Sequence, residues 1–171
     1  MVLKSSFIYN SVPKIRFGVG SIDESIDDLL TILGERIMLI TDQGLTDIGL
    51  HRRLLEKMEE GGAPTILFDE VESDPSLSTV LTAISVAKNN SITGIIGFGG
   101  GSPMDVAKLT ALICGSKENL NDVWGIGNAK GPRLPLCLIP TTAGNRTSPI
   151  PRNTQRDTIL VPSKSKNTQA T

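Results

Sequence analysis

Residues 95–108 read IIGFGGGSPMDVAK. An apolar run of strand length ends in three consecutive glycines, Gly99, Gly100 and Gly101, and a helix-forming segment follows at once. A tight strand-to-helix turn needs only one glycine. Three in a row strip side chains from the approach to the helix and leave backbone that reaches angles closed to other residues. Ser102 is placed to cap the helix and Pro103 fits its first turn. Asp105 stands three residues after Ser102, the spacing of a capping box. The turn therefore predicts a helix N-terminus with unpaired amides and a bare approach, a site that attracts anions, phosphate above all. The pattern is not GxGxxG, so the usual dinucleotide fingerprint lends it no support.

Working outward, apolar runs and amphipathic segments alternate. RIMLIT (36–41), PTILFDEV (64–71), GIIGFG (94–99) and LPLCLIP (134–140) have strand length and composition. Between them GLHRRLLEKMEEGG (49–62) carries Leu50, Leu54, Leu55 and Met58 at helical spacing. DPSLSTVLTAISVAKNN (74–90) reads as a helix with Leu77, Val80, Leu81, Ile84 and Ala87 on one face, and the segment from Pro103 to about Ile113 as another. KIRFGVGS, near the N-terminus, predicts an extra strand or hairpin. Short, continuously apolar strands separated by helices predict an α/β fold, a Rossmann-like parallel sheet with helices on both faces.

The chain has 171 residues, 39% of them hydrophobic, a mean hydropathy of +0.01 and a formal net charge of -1. That is enough for one domain with a core, and it excludes wholesale disorder and a broadly basic nucleic-acid surface. No N-terminal apolar segment with a small-residue cleavage site is present, and no apolar run approaches bilayer length, so the expectation is a soluble cytoplasmic protein without membrane or nucleic-acid partners. Cys114 and Cys137 read as free core thiols, and His51 as a solvent-facing histidine on an ordinary helix. The charge is unevenly spread. Residues 145–171 hold five basic residues and one acid, which leaves 12 basic and 17 acidic residues in 1–144. With three prolines and a polar composition, 145–171 reads as a divergent basic tail, irregular or disordered, after a dinucleotide-binding domain over 1–144.

The other strand ends fit a ligand cleft. Asp42 closes the first inner strand, where an acid can accept hydrogen bonds from a ribose diol or cap a turn. ESDPS (72–76) closes the second. IPTTAG (139–144) places the Thr141 and Thr142 hydroxyls after the fourth.

GFGGGSPMDVAK, LITDQGL, ESDPS and IPTTAG, in this order and spacing, resemble the N-terminal half of the iron-containing (group III) alcohol dehydrogenases. The resemblance covers roughly 1–144. Glycerol dehydrogenases and dehydroquinate synthases also carry a glycine triplet, usually without the Ser-Pro that follows here, and rank second. The resemblance implies that Gly100, Gly101, Ser102 and Asp105 line a pyrophosphate site and that Thr141 and Thr142 touch the cofactor. It implies that Asp42 meets the adenosine ribose and favours NAD over NADP. Asp74 belongs to the same set, at a position where the family often has Asn. The reaction implied is hydride transfer between a small alcohol or aldehyde and the nicotinamide. It is assisted by Fe2+ held by one Asp and three His of a helical C-terminal domain.

This sequence departs from that pattern twice. The family continues PTTAGTGSE, whereas NRTSPIP follows Gly144 here and Asn145 replaces a cofactor-binding Thr. The sequence also holds a single histidine, His51, so no metal ligand or catalytic residue is assigned and the iron ligands are taken as absent. The expectation is a truncated or frame-shifted cofactor-binding half, inactive alone. A non-catalytic dinucleotide-binding fragment is the alternative. Family members commonly form dimers or larger assemblies, which leaves a homo-oligomer open.

Overall fold

Gly94–Gly99 is fully buried along its whole length, as a strand covered on both faces must be. In the computed structural model, which describes residues 14–125, 127–142 and, as backbone, 157–162, this strand is β4. In chain order the elements are β1 (Lys14–Gly18), a 3-10 turn (Asp23–Ser25), α1 (Ile26–Leu33), β2 (Ile37–Ile40), α2 (Gln43–Asp47) and α3 (Arg52–Glu60). They continue with β3 (Thr65–Phe68), α4 (Leu77–Asn89), β4, α5 (Gly101–Gly115), β5 (Leu136–Pro140) and β6 (Asp157–Pro162). The strands form one sheet in the order β1-β6-β5-β4-β2-β3, every neighbouring pair parallel.

The two-residue period of the strands divides the core. Met38 and Ile40 of β2, Ile95 of β4, and Leu136 and Leu138 of β5 face α4 and α5. Ile37, Leu39, Ile96, Phe98, Cys137 and Ile139 face α1 and α3 on the other side. Both thiols are free, and burial pushes each above its usual range. No helix among the described residues is long and apolar enough to cross a membrane.

α5 lies close over β4 because Gly97 allows it. A Cβ there would stand 2.8 Å from the Ala107 Cβ and 3.4 Å from the Met104 Cα. The chain leaves β2 for one face, through α3, and β4 for the other, through α5. β2 and β4 are neighbours, so a crevice opens between their carboxyl ends. Open α/β sheets bind ligands at such a switch point.

Several expectations are corrected. The segment 157–162, expected to be irregular, is a strand between β1 and β5, with Leu136 opposite Asp157 and Lys14 opposite Thr158. The sheet is therefore not complete within 1–144. The TILV run inside it is rich in the β-branched residues that suit a pleated surface. The rest of 145–171 lies outside the described residues. KIRFG, expected as an extra strand or a hairpin, is the extra strand, and its partner is the distant, parallel β6.

On α4 the inward face is Val80, Ala83, Ile84 and Ala87, while Leu77 and Leu81 are half exposed. The small Ala83 turns into the core in place of the two leucines. His51 is not a surface residue: it is 7% exposed, at the start of α3, with its Nδ1 buried and unpartnered. α1 has no counterpart in the sequence reading. Its Ile26, Leu29 and Leu33 are buried at helical spacing, and Gly34 ends it at φ +81°, a usual glycine stop.

Candidate functional site: a cleft at the carboxyl ends of the strands

The glycine triplet divides its work. Gly99 has φ +143°, and a Cβ on it would meet the Pro103 Cγ at 2.9 Å and the Leu45 Cδ1 at 3.1 Å, so this glycine serves the turn itself. A Cβ on Gly100 would find nothing nearer than the Thr142 Oγ1 at 4.0 Å, and one on Gly101 nothing within 4 Å. These two open instead onto a cleft of about 460 Å3.

The helix begins earlier than the sequence implies. Gly100 is the N-cap, Gly101 and Ser102 are the first two helical residues, and no side chain caps the end. Ser102 is therefore not the cap. Asp105 does not return to it but pairs with Lys108, Oδ1 to Nζ 3.0 Å. Glycine at the cap leaves the first-turn amides without a side-chain acceptor, and Pro103 has no N–H to offer. The first-turn amides that remain belong to Gly101 and Ser102.

Asp42 follows β2 and is the N-cap of α2, its Oδ1 accepting from the Leu45 amide at 3.0 Å. An isolated antiparallel bridge joins it to Glu70, which brings the loop after β3 alongside. Of the sequence-derived residues, Asp42, Gly100, Gly101, Ser102 and Thr142 line the cleft. Asp74, Asp105 and Thr141 do not line it. Asp74 adopts φ +59° at the head of the α4 loop, and the Thr141 amide donates to the Gly99 carbonyl at 2.9 Å, extending the β4–β5 ladder.

Gln43, Gly44, Val71, Glu72 and Ser73 complete most of the remaining wall. Glu72 is the residue sequence reading passed over inside ESDPS. Its Oε1 accepts from the Thr79 hydroxyl at 2.6 Å and from the Ser76 amide at 2.8 Å, and its Oε2 accepts from Thr79 at 2.8 Å. The Thr79 hydroxyl, then the Ser76 amide, hold its carboxyl down at about 2, against an ordinary 4.5. A carboxylate depressed in the folded state stabilises fully above its unfolded pKa and loses that contribution as pH falls through its folded one. The stability difference between the protein and a Glu72→Gln variant, read from urea midpoints, should be constant at neutral pH and close between pH 4.5 and about 2.

Among the described residues the cleft lining contains two carboxylates, Asp42 and Glu72, and no Lys or Arg. Amides at a helix start and the helix dipole favour an anion there. The open space before Gly100 and Gly101 fits a diphosphate. Iron does not fit: among the described residues no three His, Cys, Asp or Glu side chains gather to hold a metal ion, and His51 does not line the cleft.

The family model for iron-containing alcohol dehydrogenases matches residues 13–150. The chain belongs to this family. Sulfoacetaldehyde reductase of Bilophila wadsworthia is 33% identical over 139 residues, which are 81% of this chain and 36% of that protein. Alcohol dehydrogenase 4 of Saccharomyces cerevisiae (strain YJM789) is 31% identical over 134 residues, 78% of this chain and 35% of that one. A solved iron-containing alcohol dehydrogenase superposes with a TM-score of 0.74 at 28% identity, over 91% of this chain and 48% of that one. The sulfoacetaldehyde reductase of Bifidobacterium kashiwanohense, solved with NAD+, shares the fold with a TM-score of 0.71 at 24% identity, over 92% of this chain and 46% of that one. The chain thus spans about a third of the curated relatives' length and about half of the solved chains'.

Proposed function

We propose that this chain is the NAD-binding part of an alcohol or aldehyde oxidoreductase. The observation that carries the reading is the uncapped N-terminus of α5 opening through Gly100 and Gly101 onto the switch-point cleft. The Gly101 and Ser102 amides bind the diphosphate, and the α5 dipole supports its charge. Thr142 closes the diphosphate pocket from the end of β5. Asp42, with one oxygen held by the Leu45 amide, offers the other to a ribose diol. Thr141, Asp74 and Asp105 act from just outside the cleft: Asp105 holds Lys108 along α5, and Asp74 shapes the loop after β3. Nicotinamide bound there supplies the hydride acceptor or donor for interconversion of a small alcohol and its aldehyde. NAD is the expected form, because a 2'-phosphate would meet the charge of Asp42. Among the described residues no group of side chains gathers to hold iron. The cytoplasm and a homo-oligomer are the setting this reading expects.

The test is a thermal melt with and without NAD+. At about a hundred times its dissociation constant, a ligand of the folded state adds about 2.7 kcal/mol, or roughly 5–10 °C for a chain of this size. No shift at saturating NAD+ contradicts the reading. A shift with no NADH formed from alcohols, Fe2+ added, makes the chain a binding module and not an enzyme.

A further inference from the structure

We propose that Glu72 is a second carboxylate, beside Asp42, that sets the dinucleotide preference, its fixed negative charge rejecting the 2'-phosphate of NADP. The inference rests on the NAD reading above and adds a residue to it. Glu72 lines the same cleft as Asp42, and the Asp42–Glu70 bridge sets its loop alongside that residue.

The two acids have different work. Asp42 has one oxygen bonded to the Leu45 amide and one left for a ligand. Glu72 is held by its own chain: the Ser76 amide donates to its Oε1, and the Thr79 hydroxyl lies within hydrogen-bond distance of both oxygens. It is a well-anchored charge. A doubly charged phosphate near it is repelled, whereas the neutral 2'-hydroxyl of NAD is not. Among the described residues no lining Lys or Arg offsets that repulsion. Glu72 is exposed, so the effect is screened by salt.

The experiment is calorimetric titration with NAD+ and NADP+ of the full chain, Glu72→Gln and Ser73→Lys, at low and high salt. Gln keeps an acceptor for Thr79 and removes the charge. Ser73→Lys leaves the Glu72 hydrogen bonds in place and sets a cation beside them. Both variants should move the ratio of the two dissociation constants toward NADP+ by about three- to tenfold at low salt. The shift should shrink by more than half at about 1 M salt. A ratio unmoved by Glu72→Gln, with NAD+ still bound, overturns the role of Glu72 whatever Ser73→Lys does, and leaves the cofactor reading standing. A shift indifferent to salt also overturns it, because the cause is then packing and not charge. No NAD+ binding by the unmodified chain overturns the cofactor reading, and this inference with it.

Discussion

A Gly101→Val chain is expected to fold normally and to lose NAD+ binding by a hundredfold or more. The Cβ position at Gly101 has no neighbour within 4 Å, so the side chain meets no protein atom at its root. Its backbone is helical, and valine at the first helical position costs a few tenths of a kcal/mol. The three added carbons instead fill the space where a phosphate oxygen must come to hydrogen-bond distance of the Gly101 and Ser102 amides. Blocking two charge-assisted bonds removes about 3 kcal/mol or more of binding, which is more than a hundredfold. The melting temperature without ligand should stay within about 3 °C of the parent, on the scale of 2–4 °C per kcal/mol. The rise on adding NAD+ should vanish. The same substitution at Gly99 would act on folding, because φ +143° and the Pro103 ring at 2.9 Å oppose any side chain there.

Gly97→Val should do the reverse and destabilise the fold before it touches the ligand. Its Cβ would lie 2.8 Å from the Ala107 Cβ and 3.0 Å from the Leu138 Cδ2, with the α5 backbone at 3.4 Å. The Leu138 methyl can swing aside, but the Ala107 Cβ and the Met104 Cα are fixed to α5, so α5 must lift from β4. Overpacking of this kind costs about 3 kcal/mol, roughly 6–12 °C in melting temperature. α5 carries the Gly101 and Ser102 amides, so NAD+ affinity should fall as well. Melting curves and titrations of the two variants separate the roles: one glycine serves the ligand, the other the seat of the helix.

The strands and the switch-point crevice were legible because their signal is local. Ile37–Ile40, Gly94–Gly99 and Leu136–Pro140 are continuous apolar runs, and such runs between helices belong to parallel sheets. The glycine turn was legible for the same reason. What failed depended on contacts distant in sequence. Leu77, Val80, Leu81, Ile84 and Ala87 make a good helical stripe, but so do Val80, Ala83, Ile84 and Ala87. Only the packing of α4 against α5 and the core decides that the small Ala83 faces inward. The strand at Asp157–Pro162 exists through partners on β1 and β5, and nothing near it in sequence announces them. Ser102 looked like a cap because serine is a good one, yet the glycines before it let the helix start sooner. Glu72 was hidden among ordinary loop residues. Its place on the cleft comes from the Asp42–Glu70 bridge, and its charge is held by Thr79, seven residues further on.

The central claim is that the amides at the start of α5 hold the diphosphate of NAD. Amide NMR of the labelled chain, titrated with NAD+, tests it most directly. The account predicts that the Gly101 and Ser102 amides shift most, moving downfield as they take up phosphate oxygens, and saturate together with Asp42 and Thr142. NAD+ that binds while these amides stay still, or that produces no shift at all, contradicts it.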